Sequence, residues 1–404
     1  MRFTRQKLLL VSIAVVIGIT GIISLIAYSN SRRKDTPLIF SKSDTLLELY
    51  HNSLINTIEP KTNRTLDKQQ QNITTSEGQS YTLLRSVYMD DQKQYDASLQ
   101  WTKDNLQRDD HLFSWKFGRL PNGQYSILDN IGGQNTATDG DSDIALSLLL
   151  AYSRWQQDKY LYDAKAIISS IWDKEVVVIN GQPVLTADDL ERNNPTQVVL
   201  NPSYFSPYAY KLFAKVDPSH DWVGLANNSY RILADVSDDK LNTVSASGLP
   251  PDWVIMNRQT GEFSAPSAES GQTTDFGYDA MRVPFRLALD YSWFKDPRAK
   301  QVLGKFSLLG REWEQHHQLA AVYSHDGTLK ADYEAPPAIY GGTFGYFKVM
   351  QPQTSRQIYQ AKLATLYDTD GQKWKTELGY YDDNWAWFGI GLSQDALPNL
   401  TSEH

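Results

Sequence analysis

Ala137-Thr-Asp-Gly-Asp-Ser-Asp-Ile-Ala-Leu-Ser-Leu-Leu-Leu-Ala-Tyr-Ser-Arg-Trp155 joins three carboxylates on a glycine-containing turn to a strongly apolar segment. Ile144, Leu148, Ala151 and Trp155 recur at helical spacing, so the segment buries one face, and the pattern predicts a helix over 142–156. Asp139 precedes that helix and Asp141 is a candidate N-cap. One acid suffices to cap a helix. Asp139, Asp141 and Asp143 repel one another at this spacing, which points to a ligand or a shared chemical task beyond capping.

Two further acidic helix starts stand on either side. In Thr75-Ser-Glu-Gly-Gln-Ser-Tyr81, Ser76 reads as the cap and Glu77 falls in the first turn, with Gly78 keeping the space beside it open. In Asp275-Phe-Gly-Tyr-Asp-Ala-Met-Arg-Val-Pro-Phe-Arg286, Asp279 sits at the start of a predicted helix over 279–294. Tyr278 is its neighbour, and Arg282, one turn on, can hold its carboxylate ionised. Taken singly, each is explained by ordinary helix chemistry: a first-turn acid complements the helix dipole, and Asp279 with Arg282 makes an i,i+3 pair. Together they put three acidic helix mouths in one helical body.

Helical periodicity dominates from Asp44 onward. It predicts helices beginning at Asp44 and at Ser76, over 91–107, and over 142–156, 159–173, 203–215, 221–236, 279–294, 297–317, 336–349, 353–367 and 383–393. Pro121-Asn-Gly within 112–128 and Asn180-Gly181 within 175–185 are hairpin signals. No short repeat is visible, which disfavours a solenoid. Paired helices without a dominant sheet predict an all-α toroid. Residues 237–275, rich in Gly, Ser, Pro and Thr, form the longest irregular stretch, and long loops in compact domains often border function.

Composition narrows the chemistry. The 404-residue chain has 11 Trp, 23 Tyr and 14 Phe, and sugar clefts use aromatic rings as apolar platforms with a polar rim. It has no cysteine and seven His, with no His pair at zinc-ligand spacing, so neither a disulfide framework nor a thiolate or His-based zinc site is expected. Of 39 basic and 47 acidic residues, six basic and one acidic fall in residues 1–35, which leaves 33 and 46 for the body. That acidity argues against nucleic acid as a partner, and a monomer is expected.

Leu8 to Ala27 is an uncharged run of twenty residues, long enough as a helix to span the ~30 Å hydrocarbon core and longer than most secretory signal cores. Residues 1–29 are therefore expected to be a transmembrane signal anchor, in preference to a signal cleaved near Ala27-Tyr-Ser29. Residues 30–43 would be a linker and 44–404 a single domain outside the cell.

The motifs resemble those of glycoside hydrolase family 8, which contains endoglucanases, xylanases and chitosanases. Ala137–Trp155 resembles the family signature over its whole length. Ser76-Glu-Gly-Gln-Ser-Tyr81 resembles its proton-donor motif, and Tyr278-Asp-Ala-Met-Arg-Val-Pro284 its base motif. Asn201-Pro-Ser-Tyr-Phe205 and Tyr380-Tyr-Asp-Asp-Asn-Trp-Ala-Trp-Phe388 also fit, so the similarity covers roughly residues 44–395. The resemblance implies an (α/α)6 barrel and an inverting hydrolase of β-1,4-linked polysaccharide, which calls for no metal or organic cofactor. Glu77 would be the general acid, Asp279 the general base, and Asp139 the group that grips a distorted sugar. Tyr278 and Arg282 would orient base and water. Trp115, Tyr204, Tyr380 or Trp385, and Asp141 would lie along the substrate. Two departures follow: Thr82 stands where family members often have Gly, which would reshape a subsite, and some members carry the base on a loop, which makes Glu262 and Glu269 alternatives to Asp279. The competing reading is a polysaccharide-binding protein on the same fold that does no chemistry.

Overall fold

The computed structural model describes residues 44–331 and 333–402, so the expected anchor and linker lie outside the described residues. Among the described residues no helix is long and apolar enough to cross a membrane. The thirteen α-helices described are α1 (Asp44–Thr57), α2 (Ser76–Tyr88), α3 (Gln92–Leu106), α4 (Thr138–Trp155), α5 (Asp158–Glu175), α6 (Pro207–Val216), α7 (Trp222–Asp238), α8 (Arg282–Phe294), α9 (Pro297–Leu303), α10 (Ser307–His316), α11 (Pro337–Met350), α12 (Pro352–Ile358) and α13 (Tyr380–Ser393).

Six of these form an inner ring. α2 packs on α4, α4 on α6, α6 on α8, α8 on α11 and α11 on α13. The ring closes where Arg85 of α2 donates to Asp383 and Asn384 of α13, both at 3.0 Å, and where the Tyr81 ring meets Trp385 edge-on. An outer layer backs the ring, with α3 on α2, α5 on α4, α7 on α6, α9 on α8, α12 on α11 and α1 on α13. This is the alternation of an (α/α)6 barrel. Inner helices are buried nearly all round because they are covered on both sides; in α4, residues 138–151 are all buried.

Small residues set the tightest contacts. A Cβ on Gly341 of α11 would lie 1.9 Å from the Trp385 carbonyl oxygen, and one on Gly345 would lie 2.1 Å from that of Pro284. Glycine at these positions lets α11 lie backbone-to-backbone on α13 and α8. The interior is not wholly apolar. Asp139 and Asp143, one turn apart on α4, face Arg282 and Arg286, one turn apart on α8. Asp143 accepts from both terminal nitrogens of Arg286 at 2.9 and 2.8 Å, and both residues are nearly inaccessible. α4 and α8 are separated in the ring by α6 alone, so this two-rung charged ladder bridges next-but-one inner helices through the interior.

Strands are short and decorate the ring: antiparallel β1 (Thr74–Thr75), β2 (Lys116–Arg119) and β3 (Tyr125–Ile127); the hairpin β4 (Val176–Ile179) and β5 (Gln182–Leu185); and the sheet β6 (Gln197–Leu200), β7 (Val254–Asn257), β8 (Phe263–Ser264). Both hairpin signals form hairpins. The structure moves several expected boundaries. α4 begins four residues early, at Thr138 after the extended Ala137, so Asp139 and Asp141 lie in its first turn and neither caps it. Thr75, not Ser76, caps α2 by accepting from the Gly78 N–H. α8 begins at Arg282, which leaves Asp279 in the preceding turn. The segment 297–317 is two helices, and 353–367 is a helix followed by a π turn.

Candidate active site

The inner helices run the same way along the ring, and the mouths of at least four meet in one cleft. Its volume is about 540 Å³, and its lining includes Glu77, Trp115, Tyr278, Asp279, Pro336, Tyr380 and Asp382. These come from the starts of α2, α11 and α13, the β2 edge and the turn before α8. Helix N-termini present unpaired N–H groups and a positive dipole end, so an acid-rich cleft suits this end of the ring.

Arg282 organises the floor. Its Nη1 donates to Glu77 Oε2 at 2.8 Å and to Asp139 Oδ2 at 2.7 Å, while its Nη2 donates to Asp279 Oδ1 at 2.5 Å. The guanidinium is 1% exposed, whereas the Glu77 and Asp279 side chains are 22% and 31% exposed. Asp139 is buried beneath them and also accepts from the Gly140 N–H at 2.8 Å. Three sequence-distant carboxylates thus share one cation, two of them open to the cleft.

Their protonation differs by environment. Desolvation at the cleft floor pushes the Glu77 carboxyl up to about 7; Arg282 and a 3.0 Å hydrogen bond from the Tyr380 hydroxyl oppose the rise, while the charges of Asp139 and Asp279 add to it. Burial likewise raises Asp139, against the pull of Arg282 and Arg286. A carboxyl held near 7 keeps a proton to give at neutral pH. Asp279 has a different shell: the Trp253 indole N–H donates to its Oδ2 at 3.1 Å, opposite Arg282.

Aromatic side chains wall the site. Trp115 is held by its N–H to the Gly132 carbonyl. Tyr204 lies under the Arg282 guanidinium at 5.2 Å and meets Trp253 edge-on. Tyr278 is 41% exposed at the rim, and its carbonyl accepts from the Tyr381 hydroxyl at 2.6 Å. Glu77, Asp139, Asp279, Arg282, Tyr278, Tyr204, Trp115 and Tyr380 are therefore gathered at one end of the ring.

Other expected residues are not. Asp141 points away from the cleft, accepting from the Phe113 N–H at 2.9 Å and facing the buried Glu175 carboxyl. Asp143 belongs to Arg286. Trp385 is 2% exposed and packs in the core against Tyr81 and Phe285. Thr82 bonds Thr65 at 2.7 Å and lines no part of the cleft. Glu262 and Glu269 are absent from the lining: the Glu262 side chain accepts from the Thr260 hydroxyl at 3.1 Å, and Glu269 lies on an exposed 3-10 turn. Sequence reasoning missed Trp253, Asp252 and Tyr381. The first two lie in the long loop, where Leu249-Pro-Pro-Asp-Trp253 was a signal, since tandem prolines hold the chain extended.

Comparison with known proteins agrees with this geometry. A profile of the Glycosyl hydrolases family 8 matches residues 41–348. The chain belongs to glycoside hydrolase family 8. Among its relatives, Endoglucanase C of Ruminiclostridium cellulolyticum is 37% identical over 230 residues, covering 56% of this chain and 45% of that protein. A probable endoglucanase of Novacetimonas hansenii is 33% identical over 272 residues, covering 65% and 71%. The chain thus matches under half the length of the first of these. In three dimensions it is similar to an endo-1,4-D-glucanase from Vibrio fischeri, with a TM-score of 0.72 and 25% identity over 86% of this chain and 94% of that one.

Proposed function

We propose that this protein is an inverting glycoside hydrolase that cleaves β-1,4-linked polysaccharide, with glucan as the favoured backbone. The observation that carries the reading is the Arg282 cluster: an acid raised to about 7 and a second, more solvated carboxylate, brought together at one aromatic-walled cleft. Inverting hydrolysis needs two carboxyls with different tasks. Glu77, protonated, gives its proton to the glycosidic oxygen. Asp279, steered by Arg282 and Trp253, takes a proton from the water that attacks the opposite face of the sugar. Asp139, buried and bound to the same guanidinium, fixes the floor on which the sugar ring is bent. Tyr278 and Trp115 offer rings to neighbouring sugars. The names of the endoglucanase relatives support a β-1,4-glucan over xylan or an amino-sugar polymer.

The apolar run Leu8–Ala27 supports a membrane-anchored form whose domain works outside the cell, on polymer made or held at that surface. The decisive experiment is a polysaccharide panel assayed for new reducing ends with wild type and Glu77→Gln, with NMR of the first-formed anomer. General acid catalysis contributes about 10²–10⁴-fold, so Glu77→Gln is expected to lose at least that much, and an α-anomer should appear first from a β-linked polymer. Full activity in Glu77→Gln, or polysaccharide binding by wild type without any released ends, defeats the reading.

A further inference from the structure

The dipeptide Asp252-Trp253 grips Asp279 from two sides. The Asp252 carboxylate oxygen Oδ1 accepts from three backbone N–H groups of the turn that carries Asp279: Gly277 at 3.1 Å, Asp279 at 3.1 Å and Ala280 at 2.7 Å. Its neighbour Trp253 reaches the Asp279 side chain itself, indole N–H to Oδ2 at 3.1 Å. The turn needs such a partner because it is not yet helix: α8 starts only at Arg282, with no side-chain cap, so the N–H groups of 277–280 lack intrahelical acceptors.

The grip is mounted on a fixed element. Asp252 N–H bonds the Asp275 carbonyl at 2.6 Å and Trp253 N–H bonds Thr273 at 3.0 Å, so the dipeptide pairs with the strand-like run into the turn. It then continues directly into β7, the central strand of the β6-β7-β8 sheet. The Trp253 ring is braced by Tyr204, which itself lies under Arg282. A Cβ on Gly277 would fall 2.8 Å from Asp252 Oδ2, so glycine there permits the close approach.

We infer that Asp252 and Trp253 are positioning residues for the base: Asp252 fixes the backbone of the Asp279 turn, and Trp253 fixes the carboxylate's rotation. The inference rests on the reading of Asp279 as the base. With Oδ1 held by Arg282 and Oδ2 by Trp253, Asp279 has one orientation, and a misplacement of about 1 Å at a reacting group can cost roughly 10²-fold. The charged or titratable groups around Asp279 are Arg282 from α8, Glu77 from α2, Asp252 from the loop, Tyr204 and Tyr381, with Asp139 joined through Arg282. Of these contacts, Trp253→Phe removes only one neutral N–H donor. Its loss frees Oδ2 and leaves the carboxylate held by Arg282 alone, able to rotate about that contact.

The test compares Trp253→Phe, Asp252→Ala, Asp252→Asn and the control Asp279→Asn on a soluble β-1,4-glucan, with circular dichroism to confirm folding. Trp253→Phe is expected to lower kcat about tenfold, with KM within about twofold. Asp252→Ala is expected to lower kcat by ten- to a hundredfold at near-constant KM. Asp252→Asn, which keeps an acceptor oxygen for the three N–H groups, should restore most of it. Equal kcat in Trp253→Phe and wild type overturns the inference for Trp253, and equal kcat in Asp252→Ala and wild type overturns it for Asp252. If Asp252→Ala does not fold, equal kcat in folded Asp252→Asn and wild type still supports the acceptor role, and a hundredfold loss there refutes it. An active Asp279→Asn defeats the assignment of the base instead, whatever the other variants do.

Discussion

Removing the Tyr380 hydroxyl isolates the proton donor's pKa from its other surroundings. Tyr380 donates to Glu77 Oε1 at 3.0 Å, on the side away from Arg282. That bond favours the ionised carboxylate and works against the desolvation that raises Glu77 to about 7. Hydrogen bonds to charged groups are worth about 1.5–3 kcal/mol, and 1.36 kcal/mol is one pKa unit. Glu77 is 22% exposed to the cleft, so water replaces part of the lost bond, and about one unit of further rise remains. In Tyr380→Phe the acid keeps its proton to higher pH. The alkaline limb of kcat/KM, expected near 7 in the wild type from the Glu77 carboxyl, should therefore move upward by about one pH unit. The assay is reducing-end release from a soluble β-1,4-glucan between pH 4 and 10. An alkaline limb that stays in place, or moves to lower pH, refutes the argument that Tyr380 tunes the donor.

Three further outcomes follow from the geometry. Gly78→Ala puts a Cβ 2.8 Å from the Tyr380 hydroxyl and 3.2 Å from its ring, so it should displace Tyr380 and reproduce the Tyr380→Phe profile with Tyr380 still present. Arg286→Met strands the buried Asp143 carboxylate; breaking such a pair costs about 3–5 kcal/mol, to be read as a drop in the urea midpoint, and a loss under about 1 kcal/mol would refute the weight given to this pair. Burial pushes Asp141 up to about 8 and raises Glu175 well above the usual carboxyl range. The folded pair therefore retains a proton that the unfolded chain releases near pH 4, and stability should decline as pH rises from about 4 through 8. Glu175→Gln should flatten that decline in thermal melts, and an equally steep decline in the variant would count against the pair.

The sequence exposed the acids and hid their partners. Glu77, Asp139 and Asp279 each stand beside a helix start, where propensity and capping rules make an acid conspicuous. What joins them is Arg282, whose i,i+3 relation to Asp279 was visible while its bonds to Glu77 and Asp139, 205 and 143 residues away, belong to the closure of the ring. One signal was available: Asp139 and Asp143 repeat at the spacing of Arg282 and Arg286, the pattern of two facing rungs. Reading Asp141 as a cap concealed it, because the helix in fact begins at Thr138 after an extended Ala137. Trp253 and Asp252 were out of reach for another reason. Their role depends on β7 carrying a loop residue to a turn 26 residues later, and no local rule encodes that pairing.

The sharing of Arg282 has a consequence for what the empty cleft must contain. One guanidinium faces three carboxyl groups, so if all were ionised the cluster would carry two uncompensated negative charges at a poorly hydrated floor. The next cation, Arg286, is already committed to Asp143. The cheapest neutralising particle is a proton, and Glu77, the member whose carboxyl rises to about 7, is where it resides. The donor is thus loaded by the burial of its own carboxyl, reinforced by a shortage of arginine among the three acids. A second basic residue within reach of the floor would fill that shortage, drive the proton off and leave a better-neutralised but inert site.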